Sequence, residues 1–384
     1  MGRSEQLINI EDVRRLARRR LPRAVYEFVS GGAEDEVTLG ANRTGFAGIA
    51  FRPRALVGVE TRDTSVELFG DRIAMPLLLD PAGLARIVRR EGELAVARAA
   101  HAANVIYTLS IGSSYSIEEV AKASAGPLWA QIYMWRDRDL IASIIERARL
   151  AGYRALCVTI DVPVHGNRER DRRNGMTIPP RITARNFWDA AWRLRWLRDQ
   201  LIGERFTFAN LTGVAPGGSA VDIGTYQERE LYKPGSDWSD IAWLREIWNG
   251  PLLIKGIMSA DDARRALDHG VDGLIISNHG GRQLDGLPGT IDVLPRISAA
   301  VRGQLAILLD GGIRRGSDVV KAIALGAAAC MIGRPYLWGL AADGEAGVTR
   351  VLEIFRQEID RTMALMGCPR VSDLDPSVLE RFPA

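Results

Sequence analysis

The sequence predicts an α/β protein built as a (β/α)8 barrel, with an N-terminal helical and hairpin extension and a long insertion after the fourth strand. Three observations carry that reading. Eight short apolar runs recur along the chain, each ending in glycine or polar residues. Helix-like segments follow them, so strand and helix alternate as a parallel barrel requires. No GxGxxG follows the first run, which counts against an open dinucleotide-binding sheet.

The runs, in order, are "MPLLLDPAG" (75–83), "VIYTLS" (105–110), "LWAQIYM" (128–134), "ALCVTIDVP" (155–163), "PLLIKGI" (251–257), "GLIISNHGG" (273–281), "AILLDGG" (306–312) and "AACMIGRP" (328–335). Continuous Leu, Ile and Val, rather than alternation, is the pattern of strands buried on both faces. Between them, "DRDLIASIIERARLAG", "SADDARRALDHG" and "GSDVVKAIALGA" have helical patterns. Several open on Ser or Asp and close on Gly, as helix caps do. Ahead of the first strand, residues 1–74 hold a helical stretch (11–29) and a hairpin around "SVELFGDRIAM". Residues 164–237 form an insertion much longer than an ordinary βα loop, expected as a lid or a contact surface.

Composition narrows the class. At 384 residues, an α/β barrel holds the chain around one core, and 47% hydrophobic content marks it as globular. Fifty basic against 47 acidic residues gives no reason to invoke nucleic acid. Cys157, Cys330 and Cys368 lie far apart without a CxxC, so they read as buried hydrophobes in a reducing compartment. No metal is expected. No signal-like or membrane-spanning run occurs, and the expectation is a cytoplasmic-side protein that touches a surface.

Active sites of such barrels lie at the C-terminal strand ends. There the sequence places Ser110, Gln131, Tyr133, Thr159, Asp161, Lys255, Ser277, Asn278, His279, Arg282, Asp310 and Arg334, with Arg168 just beyond. His279 is the candidate proton acceptor near neutral pH, and Asp161 is its candidate orienting partner. Arg168 and Arg282 could clamp a planar carboxylate. Glycine-rich exits with Arg314, Arg315 and Arg334 after the last two strands suggest a phosphate-bearing ligand, a flavin phosphate or a sugar phosphate. His101 and His269 fall in helical stretches and read as structural, while His165 lies where it could touch substrate.

With these residues assembled, the chain resembles the FMN-dependent (S)-2-hydroxy acid oxidase/dehydrogenase family of glycolate oxidase, L-lactate dehydrogenase and (S)-mandelate dehydrogenase. "TIDVPVHGNRERD", "IKGI", "SNHGGRQLDG", "LDGGIRRGSDV" and "MALMGC" carry the likeness over nearly the whole chain. The resemblance implies one FMN-binding barrel domain over 1–384 and a homotetramer. It makes His279 the base and Asp161 its partner, with Tyr26, Arg168 and Arg282 on the substrate carboxylate and Tyr133 near the hydroxyl. Lys255 would lie at the flavin N1/C2 edge. Pro81, Ala82, Gly83, Ser110, Gln131, Thr159 and Ser277 would border the isoalloxazine. Asp310, Gly311, Gly312, Arg314, Gly333 and Arg334 would hold the ribityl chain and phosphate.

Departures from the family bear on specificity. Gly112 stands where glycolate oxidases carry Trp, which opens the substrate pocket. Gly83 stands where oxidases usually have Ala, and Ala82 replaces a common Thr. These lean towards a dehydrogenase that passes electrons to a quinone or similar carrier, with an O2-using oxidase as the alternative. A flavin-free phosphate-binding isomerase or lyase would leave His279 and the arginines idle. In 182–202, Trp188, Trp192 and Trp196 at four-residue spacing, with Arg185, Arg193, Arg195 and Arg198, read as an amphipathic helix for the membrane interface or for packing as a lid.

Overall fold

The computed structural model describes residues 7–177, 181, 183–202, 207–214, 220–226 and 233–381. Parts of the 1–74 extension and of the 164–237 insertion, including residue 182, lie outside the described residues. Eight parallel strands close into a barrel: β1 (Leu77–Leu79), β2 (Tyr107–Ser110), β3 (Leu128–Tyr133), β4 (Ala155–Thr159), β5 (Leu252–Ile257), β6 (Gly273–Ile276), β7 (Ala306–Leu309) and β8 (Ala329–Ile332). β1 pairs with both β8 and β2, which completes the ring. Each strand is shorter than its apolar run; at β1, β4, β6, β7 and β8 the run continues past the strand's C-terminal end into the rim.

The interior is packed rather than open. Leu78, Ile106, Trp129, Cys157, Leu253, Ile275, Leu308 and Met331 fill it with almost no exposure. The foreseen hairpin forms from strands Val66–Leu68 and Asp71–Ile73. Its two-residue turn, Phe69 and Gly70, has left-handed backbone at both positions, as a tight hairpin turn requires. Leu68 and Ile73 join the interior cluster, and the Phe69 ring stands 5.8 Å from that of Trp129. The hairpin therefore plugs the N-terminal mouth of the barrel. All three cysteines are buried and free, as expected.

Caps fix the outer helices. Asp137 accepts from the Leu140 N–H ahead of helix Arg138–Leu150, and Ser259 from the Asp262 N–H ahead of helix Ala260–Asp268. Each such cap stabilises by about 1 kcal/mol. The final helix, Arg334–Met366, kinks where Asp343 and Gly344 leave helical backbone, and helix Ile10–Arg20 packs along it. Strand Ile49–Phe51 pairs with Leu379–Arg381, tying the N-terminal extension to the C-terminal segment.

Two expected helices are each broken in two. The stretch 11–29 folds as Ile10–Arg20 and Arg23–Ser30. Pro22 forces its predecessor out of helical backbone, and Leu21 is extended at φ −89°, ψ 148°. The 182–202 stretch forms helices Ala184–Ala191 and Leu194–Leu201, not one continuous helix. Side chains flanking the break are held from outside: Arg193 donates to Arg19 O at 2.7 Å, and Trp196 Nε1 to Ile87 O at 2.8 Å. Trp196 thus turns inward while Trp188 and Trp192 remain exposed, so the three indoles share no single stripe.

Candidate active site

The C-terminal strand ends meet in one cleft. Pro81, Ala82 and Gly83 leave β1, Ser110 and Gly112 leave β2, and Tyr133 ends β3. Lys255 comes from β5, His279 and Arg282 follow β6, and Asp310, Gly311, Gly312 and Arg314 follow β7. Gly333 and Arg334 follow β8, and Arg168 reaches over from the insertion. Gln131, Thr159 and Ser277 stand just behind these residues, all buried, with Gln131 Nε2 donating to Thr159 Oγ1 at 2.9 Å.

His279 and Asp161 form the expected pair, with Nδ1 and Oδ1 2.9 Å apart. Their meeting depends on backbone. His279, Gly280 and Gly281 are consecutive left-handed residues, so the chain coils at the end of β6 and turns the imidazole back towards β4. On β5 the ladder register shifts at Gly256, whose φ is +114°. A Cβ there would come within 2.8 Å of Asp161 Cβ, so glycine makes room for the carboxylate.

Lys255 is enclosed. Its ammonium donates to Ser277 Oγ at 2.9 Å, bonds Asp310 Oδ2, and lies 3.3 Å from Asp80 Oδ1. Asp80 was not among the sequence candidates. A carboxylate between an apolar run and a proline looks like a strand end, and only the closure of β1 against β8 aims it at Lys255.

The arginines gather at the opposite side. Arg282 donates to Phe28 O at 2.7 Å and Gly31 O at 3.0 Å, and its guanidinium lies over the Phe28 ring. Arg168 donates to Arg282 O at 3.2 Å and to Gln283 Oε1 at 3.2 Å. The acidic group nearest Arg282 is Asp171, 3.9 Å away. Burial, with Arg168 and Arg334 nearby, pushes the Arg282 guanidinium well below its ordinary pKa. An incoming carboxylate relieves that burden. Tyr133 is pushed up to about 12, by burial first and Asp161 second, so it remains a phenol that can donate.

Tyr26 is not brought into this cleft. Its hydroxyl accepts from Arg14 at 3.0 Å, and it lines an adjoining basin with Arg18, Arg314 and Arg334. His165 does line the cleft, with its pKa lowered to about 4 by burial and by Arg168. Two supports, Asn42 and Glu93, escaped the sequence reading. Asn42 and Asn278 exchange amide bonds at 2.8 and 2.9 Å, clasping helix Val37–Ala47 to the β6 exit. Buried Glu93 accepts from the Ala85 and Ser114 N–H groups, joining the β1 and β2 exits under the cleft. An Asn or Glu within a helical stretch carries no sign of such a distant partner.

The residues fit the FMN implied above. Among the described residues, Gln131 Oε1, Asp310 Oδ1 and Arg334 Nε are buried without a hydrogen-bond partner, a set suited to a ligand with both donors and acceptors. Gly311 and Gly312 bring bare left-handed backbone to the phosphate end, beside Arg314 and Arg334.

Comparison with known proteins agrees. The family described as FMN-dependent dehydrogenase matches residues 17–381. The chain is 43% identical to a putative L-lactate dehydrogenase of Mycobacterium tuberculosis, covering 96% of this chain and 88% of that one. It is 40% identical to glycolate oxidase of Spinacia oleracea, over 97% and 95% of the two chains. The crystal structure of the monotopic membrane protein (S)-mandelate dehydrogenase matches with a TM-score of 0.94 at 40% identity, over 98% of this chain and all of that one.

Proposed function

The chain belongs to the FMN-dependent dehydrogenase family and is an FMN-dependent oxidoreductase of 2-hydroxy acids; on that premise we propose that it oxidises an (S)-2-hydroxy acid of mandelate or lactate size and passes the electrons to a quinone or similar carrier. The observation that carries the reading is the His279–Asp161 pair facing Arg168 and Arg282 across one cleft.

Arg282 and Arg168 take the substrate carboxylate, which fixes the hydroxyl-bearing carbon. Tyr133 donates to the oxygen on that carbon. His279 accepts the hydroxyl proton at Nε2, because Nδ1 is engaged by Asp161. Asp161 orients the ring and stabilises the imidazolium once the proton has arrived. Lys255 and Gln131 border the ring system of FMN, while Gly311, Gly312, Arg314 and Arg334 hold its phosphate end. Bound FMN supplies the two-electron acceptor.

Substrate size rests on Gly112. A Cβ built there meets only Ser110 Oγ, at 3.7 Å, so the space beside it is open. Anaerobic mixing of FMN-loaded enzyme with glycolate, (S)-lactate, (S)-mandelate and (R)-mandelate tests the whole reading by loss of flavin absorbance. The larger (S)-acids are expected to reduce it fastest, and no reduction by any of them would overturn the assignment. Gly112→Trp should narrow the pocket and lower kcat/KM for mandelate about 100-fold relative to glycolate. Reoxidation by air as fast as by a quinone analogue would overturn the choice of acceptor.

Peripheral attachment to the inner face of the cell membrane is part of the proposal. Phe187, Trp188, Trp192, Leu194, Leu201 and Ile202 are exposed within one short stretch, a large apolar patch on a surface helix pair. Among the described residues no helix is long and apolar enough to cross a membrane. Replacing Trp188 and Trp192 by Ser should move the enzyme from sedimented anionic vesicles to the supernatant with kcat unchanged. Undiminished vesicle binding would refute the patch as the anchor. A homotetramer is proposed on family resemblance and is read by sedimentation velocity.

A further inference from the structure

Asp80 has no part in the chemistry described so far. It lines the cleft at the end of β1, with Oδ1 3.3 Å from Lys255 Nζ. Lys255 already has a carboxylate partner in Asp310 and a hydroxyl partner in Ser277. Two carboxylates therefore face one ammonium, and Asp80 Oδ1 is at ion-pair distance without being aligned for a hydrogen bond. The structural bonds of the residue come from its backbone: Asp80 N donates to Ile332 O at 2.9 Å, and Asp80 O accepts from Tyr336 OH at 2.9 Å. Burial raises the pKa of Asp80 while Lys255 opposes the rise, and the His279–Asp161 pair also acts on it.

We propose that Asp80 is a tuning residue acting through Lys255: its carboxylate offsets the lysine charge and thereby lowers the reduction potential of bound FMN. The inference rests on the reading that Lys255 borders the flavin ring. Reduction of FMN by two electrons and one proton leaves one added negative charge on the ring system. A lone ammonium beside the ring favours that state, and a carboxylate a few ångströms from the ammonium cancels part of the benefit. Lys255 is buried, so the cancellation is screened less than between surface charges. The bound flavin is then a weaker oxidant of the hydroxy acid and a stronger donor to the next carrier.

The test is the midpoint potential of the FMN-loaded enzyme, measured by equilibration with reference dyes at pH 7. Asp80→Asn keeps the shape and removes the charge, and Asp80→Ala removes the group, which guards against a misfolded first variant. Both should favour the reduced state about tenfold, about 30 mV for a two-electron couple. Lys255→Met should move the potential the opposite way. If it does so while both Asp80 variants retain FMN at an unchanged or lower potential, the proposal is overturned and the flavin reading stands. If Lys255→Met leaves the potential unmoved, the placement of Lys255 beside the flavin fails, and the proposal with it.

Discussion

Replacing His279 by Asn lowers kcat about 1,000-fold while FMN stays bound, within the range a positioned base contributes. Asparagine is the informative substitution because His279 has φ +56°, and Asn tolerates left-handed backbone better than Ala or Gln. The coil over 279–281 and the Asn278 clasp are then kept, and only the proton acceptor is lost. The measurement is the rate of flavin reduction in rapid mixing, compared with FMN content by absorbance. The rival base is His165, which also lines the cleft and whose lowered pKa keeps it neutral at pH 7. Near-normal reduction by the His279 variant, with a large loss in His165→Gln, would reverse the assignment.

Gly312→Ala should be the most destabilising glycine-to-alanine change among the described residues. A Cβ there would lie 1.8 Å from Asn42 O, and the backbone sits at φ +82°. The left-handed backbone alone costs about 1–2 kcal/mol for a residue with a Cβ. The overlap is with main chain, so helix Val37–Ala47 must shift bodily and break the Asn42–Asn278 exchange. Together the loss should exceed about 4 kcal/mol, the range reserved for backbone clash and broken buried networks. Gly303→Ala is the control. It has similar backbone at φ +74° but nothing within 4 Å, so it should cost only the conformational part. Urea midpoints of the two variants separate the contributions, and equal midpoints would show that helix Val37–Ala47 yields freely.

The barrel and most of its rim were legible because local chemistry determines them. A strand buried on both faces must be continuously apolar, and the polar residue that ends it must face the rim, whatever its partner. His279, Asp161 and Lys255 were found in this way. What escaped depends on approach between distant segments. Asp80 became visible only when β1 closed against β8. The Asn42–Asn278 clasp joins residues 236 apart. The helix pair at Ala184–Leu201 breaks because Arg193 and Trp196 find partners outside it, a tertiary event that a four-residue spacing of indoles does not encode. Pro22 was a local signal, and it accounts for the other broken helix.

The hairpin that plugs the barrel floor separates two kinds of tolerance. At the floor, side chains of the strands and of the hairpin form an apolar cluster, with Phe69 against Trp129. The polar strand exits and loops above hold the proposed sites of acid recognition and electron transfer. Changes of substrate can therefore accumulate on the upper loops without drawing on the core, and core repairs can restore lost stability without touching the chemistry. For directed evolution this chain offers two nearly independent libraries on one scaffold.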